Sequence, residues 1–81
     1  MEVTIYTTPT CPYCIKTKEF LKEKKVNYKE VNVLDNEKAG QTIMSRSGQT
    51  GVPQIEIVDK EKTTIVVGYD RAALVKALHL N

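Results

Sequence analysis

At 81 residues the chain has the size of one domain, expected to span residues 1–81, and exceeds the length below which metals or disulfide staples become obligatory. Its 12 basic and 10 acidic side chains leave a formal charge of +2, and no basic stripe is interleaved with aromatics, which argues against nucleic acid as a partner. No apolar run approaches the ~20 residues of a membrane span, so no membrane association is expected, and Met1 leads straight into a strand pattern without a signal peptide, so the expected location is the cytoplasm.

Residues 2–8 are rich in β-branched side chains and predict a strand. Over residues 12–25 the spacing of Cys14, Thr17, Phe20 and Leu21 predicts a helix with one apolar face. Its lysines Lys16, Lys18, Lys22, Lys24 and Lys25 read first as a solvated face and second as a docking surface for an acidic partner. Residues 26–34 alternate as Val31 and Val33 against polar neighbours, a second strand, and two strands joined by a helix form a right-handed unit with parallel strands. Asp35 or Asn36 caps a second helix whose buried side carries Ala39, Ile43 and Met44, and Gly48 stops it. Gly40 weakens that helix without evident purpose. Residues 54–58 and 63–67 are strand patterns whose connection, residues 59–62, suits an antiparallel hairpin. Asp70 caps a last helix burying Leu74, Ala77 and Leu78. The order β-α-β-α-β-β-α predicts an α/β fold, a four-stranded mixed sheet flanked by helices, with its reactive crevice beyond the carboxyl ends of the parallel strands.

Cys11-Pro12-Tyr13-Cys14 lies where the first strand ends and the first helix begins, and these are the only two cysteines of the chain. The first backbone N–H groups of a helix lack partners and favour an anion, so Cys11 is expected to react as the thiolate. Cys14, one turn inside, is expected to be more shielded and less acidic. Cys11 then attacks an outside disulfide and Cys14 resolves the mixed disulfide that results. Pro12 suits the first helical turn and stiffens the loop between the sulfurs, and Tyr13 presents an aromatic face and a hydroxyl beside the reactive sulfur. A structural zinc site needs four ligands, and beyond the two cysteines only His79 remains, so no metal is expected. A structural disulfide closing so small a ring would constrain the unfolded chain little. His79 reads as a surface residue near a helix end.

With these residues in place, the stretches YTTPTCPYC at residues 6–14, TGVPQI at 50–55 and GYD at 68–70 resemble a glutaredoxin of the thioredoxin fold. The resemblance implies a thiol–disulfide oxidoreductase that reduces glutathione mixed disulfides and protein disulfides, acts as a monomer and takes glutathione as reductant. It implies a cis peptide at Val52–Pro53, which turns the Val52 backbone toward the cysteinyl part of a bound substrate. Tyr13, Gln49, Val52, Pro53, Tyr69 and Asp70 are the implied glutathione contacts, with Gln49 an uncharged donor to the glycyl carboxylate. The chain departs from the family at Thr8, where many members carry lysine, and at Gly51, where threonine is usual. It departs again at Val67, Tyr69 and Arg71, where a glycine, a small residue and an aspartate are usual. YTTP and GYDRAAL are also similar to small redoxins that serve ribonucleotide reductase and take electrons from thioredoxin reductase. A third implied class is an iron–sulfur carrier, in which Cys11 of two chains and two glutathione thiols hold a cluster; Pro12 argues against it by restricting the loop.

Overall fold

The computed structural model describes residues 2–9, 11–49, 51 and 53–79. Its elements are β1 (Glu2–Thr7), α1 (Pro12–Glu23), β2 (Lys29–Asn32), α2 (Glu37–Ser47), β3 (Gln54–Asp59), β4 (Lys62–Val67) and α3 (Arg71–Ala77). They form the expected α/β arrangement, a four-stranded mixed sheet in the order β2-β1-β3-β4. β1 and β2 run parallel and the other neighbours antiparallel.

Side chains alternate along a strand, so Val3 and Ile5 of β1, Ile55 and Ile57 of β3 and Val66 of β4 share one face. Phe20 and Leu21 of α1, with Leu74 and Leu78 at the last helix, close the main core against them. At seven residues α3 is too short to persist alone. Burial of Leu74 and Leu78, each contributing about 1.5–3 kcal/mol, holds it. Glu56, between Ile55 and Ile57, points to the opposite sheet face and pairs there with Arg46 of α2.

Gly40 has a purpose that local propensity does not show. A Cβ built there would stand 3.2 Å from the Val33 Cβ, so the missing side chain lets α2 settle onto the chain leaving β2. The hairpin is tighter than expected: Asp59 pairs with Lys62, leaving Lys60 and Glu61 as a two-residue turn.

β2 is shorter than the alternating pattern predicts, because capping consumes its first residues. Val26 N–H bonds to Leu21 C=O at 2.9 Å and Lys25 N–H to Lys22 C=O at 3.0 Å, the paired bonds of a Schellman end, with Val26 packed on the core beside Leu21. At the far end the Asn32 side chain accepts Leu34 N–H at 2.9 Å and turns the chain away. Lys25 carries the left-handed conformation of that helix end, φ 58°, which glycine adopts without the Cβ clash. Lys25→Gly is expected to stabilise the protein by about 0.5–1 kcal/mol, a rise of several degrees in Tm for a domain of this size. A thermal melt checks it; an unchanged or lower Tm would contradict the assignment.

Candidate active site

β1 delivers the chain to the cysteine pair at the carboxyl end of the parallel β1/β2 ladder. Cys11 is the N-cap of α1, with extended backbone (φ −92°, ψ 109°), and its Sγ accepts the Cys14 N–H at 3.2 Å. The sulfur therefore takes the place that a serine or aspartate oxygen usually takes at a helix start. It faces the positive end of the helix dipole, where negative charge is favoured. Pro12 fills the first helical position, where it gives up no bond. Cys11 is partly exposed, and the two sulfurs are not joined.

Cys14 is the opposite case. It is 1% exposed, and burial, with the hydrogen bond and charge of the Cys11 sulfur behind it, pushes its thiol up to about 12. A backbone hydrogen bond from Thr8 and the charge of Lys18 pull the other way. One sulfur is thus presented to partners and the other is kept protonated beneath it.

Lys18 is fixed in place. Its Nζ meets Glu30 Oε2 of β2 at 3.1 Å, and the same oxygen accepts the Thr7 hydroxyl at 3.1 Å. Lys18 and Thr7 together hold the Glu30 carboxyl below the usual carboxylate range, against a smaller opposing effect of its partial burial. Lys18 lies four residues beyond Cys14, on the same helix face. Tyr13 is 58% exposed, with Lys16 Nζ 5.6 Å from its ring centre, a cation–π pair beside the sulfur. The Thr17 hydroxyl donates to Tyr13 C=O at 2.8 Å and secures that turn.

Sheet register brings the other expected residues to the same end. Tyr6 pairs with Gln54, and Gln54 with Val67. Pro53 and the residues after β4 therefore lie beside the carboxyl end of β1. Pro53 is buried, and its C=O accepts the Gly68 N–H at 2.7 Å. Asp70 caps α3 through its side chain, accepting Ala73 N–H at 3.1 Å, and Tyr69 meets Phe20 edge to face at 6.5 Å. Gln49 is exposed in the turn after α2. Val52, and with it the expected Val52–Pro53 peptide geometry, lies outside the described residues. His79 pairs with Asp59 at 3.1 Å, at the far end of the sheet from the thiols. Among the described residues no three His, Cys, Asp or Glu side chains gather as a metal site, and no helix is long and apolar enough to cross a membrane.

Two features escape a reading of the sequence. The Thr7–Glu30–Lys18 group joins residues 23 and 12 positions apart and depends on strand register, for which the chain carries no local signal. Gln54 is wholly buried; a carboxamide between Pro53 and the apolar residues of β3 is the signal that marks it.

The glutaredoxin family pattern matches residues 3–61, a span that holds both cysteines, Gln49 and Pro53 but ends before Gly68. Over 76 residues, 94% of this chain, the sequence is 43% identical to a Clostridium pasteurianum protein described as an uncharacterized glutaredoxin-like 8.6 kDa protein in the rubredoxin operon, and it covers 96% of that protein. Over 55 residues, 68% of the chain, it is 44% identical to Glutaredoxin 3 of Escherichia coli and covers 66% of it. The fold matches the crystal structure of a mutant of the thioredoxin-like protein BC3987 with a TM-score of 0.84 and 28% identity, covering 99% of this chain and 97% of that one. With a dithiol at the start of the first helix and a thioredoxin-like sheet behind it, this chain belongs to the glutaredoxin family.

Proposed function

We propose that the protein reduces glutathione mixed disulfides and protein disulfides, with Cys11 as nucleophile and Cys14 as resolving thiol. The observation that carries this reading is the inequality of the two sulfurs: Cys11 is accessible and capped by a helix N–H, while Cys14 is buried with its proton firmly held.

The Cys11 thiolate attacks one sulfur of the substrate disulfide. A Cys11–S–S bond forms, and the other substrate sulfur leaves with the electron pair and takes a proton. In that adduct Cys11 no longer carries charge, so two of the causes that held the proton on Cys14 disappear, while the pull of Lys18 remains. Cys14 then loses its proton and attacks Cys11, closing the protein disulfide and releasing the second substrate thiol. The buried thiol thus becomes easier to ionise at the step that uses it. Tyr13, Gln49, Val52, Pro53, Tyr69 and Asp70 are the residues that would line glutathione, and the setting this chemistry suits is a reducing cytoplasm.

A second reading keeps the chemistry and changes the reductant: electrons come from thioredoxin reductase and pass to a protein such as ribonucleotide reductase. Two observations favour it. The family match stops at residue 61, before Val67, Tyr69 and Arg71 depart from the usual glutathione-binding pattern. The stretches YTTP at residues 6–9 and GYDRAAL at residues 68–74 are similar to those of redoxins that work with that reductant. Paired assays decide between the readings. Turnover of a glutathionylated peptide with glutathione and glutathione reductase is expected; turnover with thioredoxin reductase alone would establish the second reading, and none with either would remove both.

A further inference from the structure

We propose that Gln54 is a positioning residue for the exchange site, holding the backbone of Gln49 and Gly51 from beneath, beside Pro53. The inference rests on the reading of Gln49 and Pro53 as glutathione contacts.

Gln54 opens β3 and is 0% exposed. Its side-chain Nε2 donates to Gln49 C=O at 3.1 Å and to Gly51 C=O at 2.8 Å. Two carbonyl acceptors require both N–H bonds of the amide, which fixes its orientation. Among the described residues the remaining oxygen, Oε1, is buried without a hydrogen-bond partner, an arrangement that costs stability. If this position served packing alone, methionine or leucine would fill the same space without the unpaired oxygen.

The two bonds run from a buried side chain to the backbone of two exposed residues, Gln49 and Gly51. What the buried amide supplies is a fixed position for that exposed backbone. Other ties complete the frame: Gly48, in the left-handed conformation (φ 72°), ends α2 with its N–H on Met44 C=O at 2.8 Å, and Ser47 Oγ accepts Gln49 N–H at 3.1 Å. Pro53 in turn is tied to Gly68. Gly51 has no side chain to pack, and among the described residues nothing stands within 4 Å of a Cβ built there. Backbone fixed in advance loses less freedom when substrate arrives, which appears as tighter binding with unchanged chemistry.

The test is Gln54→Met, assayed with a glutathionylated peptide. The expected result is a KM raised about fivefold to twentyfold with kcat within about twofold. Alkylation of Cys11 by iodoacetamide stays within about twofold of wild type, and Tm falls by no more than about 4 °C. An unchanged KM, or a fall in kcat and alkylation together with a large loss of Tm, would overturn the proposal. Should the variant not fold, the wild-type protein decides by NMR. The Gln54 carboxamide protons are expected to exchange far more slowly than those of exposed Gln41, and equal exchange would overturn the anchor. Turnover by wild type alone tests the functional reading; the ratio of variant to wild type tests Gln54.

Discussion

Cys11→Ser is expected to fold as well as wild type and to lose disulfide exchange, with kcat/KM down by at least about a thousandfold. The two halves of this result have one origin. Cys11 Sγ caps α1 by accepting the Cys14 N–H, and serine is among the best residues for that task. The hydroxyl keeps the cap, so Tm is expected to stay within about 4 °C of wild type or to rise. What it lacks is chemistry: it does not ionise near neutral pH and cannot form the mixed disulfide. Thermal melts beside turnover of a glutathionylated peptide check the pair of outcomes. Activity within tenfold of wild type would move the nucleophile to Cys14, against its burial.

Cys14→Ser separates the substrates. Glutathione can release the Cys11 adduct directly, so turnover of a glutathionylated peptide is expected to stay within about threefold of wild type. A protein disulfide leaves an adduct that needs the second thiol, and its reduction is expected to fall at least about a hundredfold. Loss of both activities would show that Cys11 cannot work alone. The same variant reports on alkaline stability. In the folded dithiol protein Cys14 holds its proton up to about 12, whereas an unfolded cysteine titrates near 8.5. Between those limits the native state binds more protons than the unfolded state, so stability falls as pH rises through the window. One proton of difference corresponds to at most about 1.4 kcal/mol per pH unit. Urea unfolding of the reduced proteins at several alkaline pH values is expected to show a shallower decline for Cys14→Ser; equal slopes would mean that the burial of Cys14 does not hold its proton.

Much of the fold is legible wherever one local rule suffices. Helical period places Cys14, Thr17, Phe20 and Leu21 on the buried face of α1, and all four are buried. Asn36, Gly48 and Asp70 stand at the caps their chemistry favours. What is not legible depends on contacts between distant segments. The start of β2 is hidden because a lysine, with its Cβ, occupies the left-handed helix end where glycine would have announced it. Gly40 looks like a defect until Val33 is placed against it. At the site, the cysteine pair and Pro53 stand out in the sequence because their chemistry is unusual. Lys18 does not, since nothing about a lysine on a solvated helix shows that Glu30 and Thr7 fasten it beside a thiol.

Because the sulfur that caps α1 is also the reacting atom, the redox couple and the first helical turn are thermodynamically linked. Whenever Cys11 shares its electrons with another sulfur, the Cys14 N–H faces a weaker acceptor and the turn has less reason to stay wound. Any difference in conformational stability between dithiol and disulfide forms must then appear in the midpoint potential, at about 30 mV for each 1.4 kcal/mol. Substitutions that tighten or loosen that turn without touching either cysteine become a means of retuning the electron affinity of the protein.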